Sequence, residues 1–218
     1  MKLQARAQRR TGEGLKRLTA FTDAVVAIAL TLLVLPLTDL ADDRHPPEQT
    51  VWSFLAANSD TLISFGVSFA VIWVMWRHHH RLIEYFATYD DTLVRLHFVW
   101  LLTIVVMPFS TALMSSPLRW ASTLYIAVLF VSAGILLAMR WWGVRHPDLL
   151  EPGASRDEFV AEGIDYTSVG LLAVAMAVSA VWPDSGEEPL LILLLGFPLG
   201  ALRDRRRAAR GDTVGVDG

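Results

Sequence analysis

The 218-residue chain has no cysteine. That excludes disulfide frameworks, thiolate catalysis and sites built on Cys-bound zinc or iron–sulfur clusters. It is also poor in charge: 19% of residues are charged, against about 25% in a soluble domain. The formal net charge is −3, so no basic field points to nucleic acid, and no nucleic-acid partner is expected. HExxH, Gly-rich phosphate loops and a nucleophile elbow are all missing, which leaves no catalytic constellation and no expected enzyme activity or cofactor.

What the chain has in excess is apolar sequence, 53% hydrophobic residues with a mean hydropathy of +0.41. These residues fall in blocks of about 15–25, the length that crosses a ~30 Å hydrocarbon core as a helix. The blocks predict an all-α polytopic membrane protein with spans near 21–37, 52–76, 92–114, 120–142, 159–182 and 189–202. The last block is short enough to be re-entrant or interfacial on hydropathy alone. Charge resolves that ambiguity. Of the 19 Lys and Arg, all but Arg44 and Arg119 fall on one side if six spans cross, and the positive-inside rule makes that side cytoplasmic. Acidic Asp39, Asp42, Asp43, Glu48, Asp184, Glu187 and Glu188 then lie outside. The expected organisation is a cytoplasmic tail over 1–16, a six-helix transmembrane domain over 17–203, and a cytoplasmic tail over 204–218. Trp52, Trp76, Trp120, Trp141, Trp142 and Trp182 fall at span ends, as an interfacial aromatic belt places them. A cleaved signal peptide is not expected: Asp23 interrupts the first apolar run and no A-x-A-like site follows it.

Ionisable groups at membrane depth are costly, so each is a candidate for function. Asp23 stands near the start of the first span, where it can serve as an N-cap or complement the helix dipole. The second span ends on Trp76-Arg77-His78-His79-His80-Arg81. Successive helical residues point 100° apart, so the three histidines cannot share one metal ion, and no metal site is expected. Glu84 is the only nearby carboxylate that could help such a site; one or two imidazoles are instead expected to face inward toward a carboxylate, with the others solvated. Span three carries Arg95 and His97 near its start and Pro108-Phe109-Ser110-Thr111 near its end. That proline frees a carbonyl which a nearby hydroxyl can satisfy. Glu162, Asp165 and Tyr166 open span five, and Gly196 and Gly200 have small-xxx-small spacing interrupted by Pro198.

Arg17-x-x-x-Phe21-Thr22-Asp23 resembles the R-x-x-x-F-S-D signature that opens the first helix in the transmembrane protein 175 family of potassium channels. The following run AVVAIALTLLVLPL, the Trp76-x-x-His79-His80-x-Leu82 end of span two, and Leu102 through Pro108-Phe109-Ser110-Thr111 in span three are also similar, so the likeness covers about 17–114. Thr22 departs from the family's serine but keeps the hydroxyl. The resemblance implies a homotetramer of six-helix subunits in the plasma membrane, with the first helix of each lining a central pore. It also implies modest K⁺ selectivity over Na⁺, and a pore face of Ile28 (narrowest apolar ring), Thr31 (hydroxyl layer) and Leu35 (further apolar ring). Arg17, Phe21, Thr22, Asp23, Trp76, His79 and His80 are then expected to form a structural polar network fixing that helix. Positions 28, 31 and 35 share one helical face, a spacing that any lipid-facing or buried stripe would also show. The competing readings are a proton- or cation-coupled carrier using Asp23, His79, Glu162 and Asp165 as relays, and a membrane scaffold that passes no ions.

Overall fold

The computed structural model describes residues 12–42, 46, 48–114, 116, 118–153, 159 and 166–181. Its regular elements are helices: α1 (Gly12–Leu32), α2 (Leu35–Asp42), α3 (Val51–Ala57), α4 (Ser59–Glu84), α5 (Asp91–Met114), α6 (Ala121–Arg145) and α7 (Tyr166–Val181). A 3₁₀ turn covers Pro147–Leu149, and one isolated antiparallel bridge joins Phe86 to Leu150. Among the described residues, four segments are long and apolar enough to cross a membrane: Gly12–Leu40, Ser59–Glu84, Asp91–Met114 and Ala121–Arg145. They overlap the first four expected spans, closely for the third and fourth, with the first starting nine residues earlier and the second shifted seven to eight residues along the chain. The fifth is represented by the 16 residues of α7, and the sixth, at 189–202, lies outside the described residues.

Proline sets the main departure from the expected layout. The first span was read as one rod over 21–37, but the helix breaks at Leu33 and Val34. Pro36 has no N–H to give to the carbonyl of Leu32, and its ring would collide with that carbonyl. The chain turns instead, with the Val34 N–H on Thr31 O (3.2 Å), and restarts through Leu37 and Thr38 N–H groups on Val34 O at 2.9 and 3.1 Å. At the other end α1 starts at Gly12, inside the stretch assigned to the tail. The second span is also divided. A Thr50–Ser53 capping box opens α3, and Asn58 separates it from α4, which runs two turns beyond Trp76.

The core lies between α5 and α6, where Trp100, Ile104, Met107, Tyr125, Ile126, Leu129 and Met139 are buried. Helix α1 packs on α5 and α4, α4 also contacts α6, and α7 packs on α6. A buried hydroxyl chain ties three of these helices at membrane depth. Thr111 Oγ1 lies 2.9 Å from Ser68 Oγ, which lies 3.2 Å from Tyr125 Oη. The carbonyl that Pro108 deprives is that of Ile104, but the neighbouring hydroxyls do not turn to it. Ser110 and Thr111 both reach Met107 O at 2.9 Å.

At one end of the bundle the α4–α5 loop meets the segment after α6. Ala87 and Thr88 donate their N–H groups to Leu149 O at 2.9 and 3.2 Å, and Glu151 N–H donates to Tyr85 O at 2.9 Å. Phe159 packs edge-on against Tyr85 and Phe86, over Gly143. A Cβ on Gly143 would lie 2.6 Å from the Phe159 ring, so only glycine fits there without displacing it. Asp90 fastens this end twice: Oδ1 accepts the Leu93 N–H at 2.8 Å as the N-cap of α5, and Oδ2 accepts Trp142 Nε1–H at 3.1 Å from α6. Removing a cap costs about 0.5–2 kcal/mol, and an orphaned buried donor about 1–3 kcal/mol. Asp90→Ala is therefore expected to lower the detergent-solution Tm by several degrees, and Asp90→Asn by clearly less. Equal losses in the two variants would contradict this dual role.

Candidate functional site

Helix α1 has two unlike faces. Leu15, Thr22, Val26, Ala29 and, just past the helix end, Leu33 are buried against the subunit's own helices. On the opposite side Phe21, Ala24, Ile28, Thr31, Leu35 and Thr38 form an exposed stripe. Ile28 is 58% and Leu35 52% exposed, which is what a face without a partner in its own subunit shows. The three expected pore residues therefore share one exposed side, although Leu35 is reached only after the turn at 33–34 and opens α2. Thr31 donates its hydroxyl hydrogen to Ile28 O at 2.7 Å. With the hydrogen engaged, the oxygen lone pairs remain available to a cation or to water on the exposed side.

Behind this stripe the expected polar residues divide into separate groups. Asp23 lies well inside α1 rather than at its start, so it is not an N-cap. It is half-buried, and its Oδ1 accepts Trp76 Nε1–H from α4 at 2.8 Å. That bond ties α1 to α4. Trp76 also stacks on His80 (centroids 5.1 Å apart), and His80 Nε2 stands 3.4 Å from Glu84 Oε1 one turn on. Thr22 is fully buried and donates to Leu18 O of its own helix at 2.9 Å. Arg17 is exposed, with no ion-pair partner among the described residues, and Phe21 is 59% exposed on the outer stripe. Neither joins the contacts around Asp23.

The three consecutive histidines diverge, as a 100° step requires. The Nδ1 of His78 lies 2.8 Å from Val74 O, and His80 turns toward Trp76 and Glu84. Only His79 is fully buried, and it does not face a carboxylate. Its ring stacks on Trp100 of α5 at 4.2 Å with the planes 9° apart, and meets the His97 ring edge-on at 4.9 Å. At His79 the expected carboxylate is replaced by aromatic rings that α5 brings to that depth, whereas half-exposed His80 does stand beside Glu84. Trp100 and the role of His97 were missed. A tryptophan three residues after a histidine in an apolar span was the available signal, but nothing local in sequence aligns it with His79. Glu162 and Asp165, the remaining carrier candidates, lie outside the described residues.

Comparison with known proteins places these features in a family. Residues 17–108 match the family model described as the endosomal/lysosomal potassium channel TMEM175. A potassium channel of Streptomyces collinus is 30% identical over 207 residues, covering 88% of this chain and 97% of that one. A potassium channel of Chamaesiphon minutus is 34% identical over 195 residues, covering 84% and 92%. The crystal structure of a lysosomal potassium-selective channel TMEM175 homolog from Chamaesiphon minutus superposes with a TM-score of 0.66, at 28% identity, over 88% of this chain and 98% of that one.

Proposed function

The chain belongs to the TMEM175 family, and from that premise we propose that it is a K⁺-conducting channel of modest selectivity, a homotetramer whose four α1 helices surround the ion path. It is an ion channel and not an enzyme, and the potassium ion is its cargo. The observation that carries the pore assignment is the unpartnered stripe Phe21, Ala24, Ile28, Thr31 and Leu35 on the one helix bearing the family signature.

On this reading Ile28 forms the narrowest ring. Four isoleucines offer no oxygen, so an ion passes only with part of its water or by shedding some briefly. K⁺ holds its water less tightly than Na⁺, so the apolar ring penalises Na⁺ more. Thr31 oxygens, whose hydrogens are spent on Ile28 O, return part of the lost coordination one turn outward. Leu35 adds a second apolar ring beyond the Pro36-induced turn. Apolar constrictions also close by dewetting, so Ile28 serves as both sieve and gate.

Six crossings with both termini in the cytoplasm follow from the basic side of the chain, and the plasma membrane is the proposed location. Supporting this orientation, the start of α1 with Lys16 and Arg17, the end of α4 with Arg77 and Arg81, and the end of α6 with Arg145 meet at one end of the bundle. The carrier reading is not favoured, because Asp23 is engaged by Trp76 and His79 is enclosed by Trp100 and His97. Liposome or planar-bilayer reconstitution tests the proposal. Unitary currents reversing toward the K⁺ equilibrium potential in opposed K⁺/Na⁺ gradients are expected; carrier-like flux without unitary events, or no flux, would overturn it.

A further inference from the structure

Helix α6 carries an exposed stripe of its own. Leu124, Val131 and Arg145 stand at multiples of seven residues, a line that drifts only about 20° per heptad, and all three are exposed. Trp141, one turn before Arg145, is exposed beside that line. Helix α6 packs on α5, α4 and α7, while α1 packs chiefly on α5 and α4, so the stripe belongs to a helix one layer back from the α1 face. At its end the Arg145 guanidinium carbon lies 3.6 Å from the centroid of the Trp141 ring, a cation–π contact that steadies the planar fork against the indole. The contact occupies one face of the fork and none of its N–H donors. Among the described residues no carboxylate or carbonyl takes them. The tandem tryptophans divide. Trp142 gives its Nε1–H to Asp90 at 3.1 Å and lies 3.9 Å from the His146 ring, whereas Trp141 Nε1–H has no acceptor among the described residues. Two sets of unspent donors thus meet where an apolar stripe runs out.

We propose that Trp141 and Arg145 form a seat for the headgroup of an anionic phospholipid. The lipid phosphodiester accepts two parallel N–H bonds from the Arg145 fork, the geometry a guanidinium offers to phosphate. Trp141 Nε1–H donates to an ester or phosphate oxygen of the same lipid, the use to which interfacial tryptophans put their polar edge. The acyl chains lie along the stripe, where Val131 is about 21 Å from Arg145 along the helix axis. Charge selects the lipid. Phosphatidylcholine and phosphatidylethanolamine carry a cation on the phosphate, which Arg145 would face; phosphatidylglycerol carries none. Free phosphate offers the fork the same oxygens but gives nothing to the apolar stripe, so the lipid is the better occupant. An arginine that only complements the C-terminal end of the helix dipole shows no preference among headgroups. The inference needs α6 to cross the membrane and does not depend on the ion path.

Native mass spectrometry of the detergent-purified full chain counts bound lipid as dioleoyl phosphatidylglycerol or dioleoyl phosphatidylcholine is titrated in. Wild type is expected to bind phosphatidylglycerol about fivefold more tightly, the scale of one basic side chain at an anionic surface. Arg145→Gln abolishes the preference, and Arg145→Lys, which keeps the charge but not the fork, retains only part of it. Arg77→Gln removes an exposed arginine at the same end of the bundle and leaves the preference intact. A preference that survives Arg145→Gln, or falls equally in Arg77→Gln, would overturn the seat in favour of diffuse interfacial charge. Displacement of bound phosphatidylglycerol by millimolar glycerophosphate would overturn the lipid as occupant in favour of a soluble phosphate. The wild-type Tm gives a reading that does not depend on any variant folding: phosphatidylglycerol is expected to raise it as its mole fraction grows, and phosphatidylcholine to raise it clearly less. Equal shifts with the two lipids refute the site. No current is measured, so failure of the channel reading leaves each of these outcomes readable.

Discussion

Ile28→Asn raises Na⁺ permeability relative to K⁺ by up to about tenfold, equivalent to about 1.4 kcal/mol of lost discrimination. The expectation follows from what the isoleucine ring withholds. Ile28 is 58% exposed on the unpartnered stripe, so in the proposed tetramer its side chain is available to meet three copies of itself. Aliphatic walls return nothing for water that an ion gives up, and Na⁺ loses more by it than K⁺ does. Asparagine offers a carbonyl oxygen and amide hydrogens at the same point, so water stays in the constriction and both ions pass hydrated. Reversal potentials under opposed K⁺ and Na⁺ gradients measure the change. An unchanged permeability ratio with intact current would remove Ile28 from the selectivity step.

Asp23→Ala has its main effect on assembly. The mutation leaves Trp76 Nε1–H without its acceptor, an orphaned donor worth about 1–3 kcal/mol in each subunit. It also frees α1 to rotate against α4, and the face carrying Ile28 is the one that meets its copies in the proposed tetramer. The yield of tetramer by size-exclusion chromatography is expected to fall several-fold, while the tetramer that does assemble keeps the wild-type K⁺/Na⁺ ratio. Asp23→Asn retains an oxygen in the same place and is expected to recover most of the yield. A fully assembled Asp23→Ala channel with altered ion preference would move Asp23 from the scaffold into the ion path.

The parts of the fold legible in the sequence are those governed by local chemistry. Spans three and four, expected at 92–114 and 120–142, end within a few residues of α5 and α6 because these apolar runs have one reading in lipid. The turn inside the first span was equally local, since Pro36 forbids the bond to Leu32 O; reading the run as one rod gave hydropathy too much weight. What could not be read depends on how separate helices are aligned. The partner of His79 is Trp100, twenty-one positions on in another helix, and no spacing rule sets α4 against α5 at that depth. Ser68, Thr111 and Tyr125 likewise come together only through three-helix packing. The stripe on α1 is an intermediate case. Its residues share a face by period alone, but that the face lacks a partner within its subunit is a property of the packed bundle.

The account turns on Ile28 bordering the ion path, and the absence of native cysteine allows that to be tested with one substitution. Ile28→Cys channels recorded in a bilayer should lose their K⁺ current on adding micromolar Cd²⁺, since four thiols around one axis bind it, and recover it with a chelator, while wild-type current persists. Ile28→Cys current indifferent to Cd²⁺, from tetramers whose thiol is shown to be reduced, would mean that this face of α1 looks elsewhere.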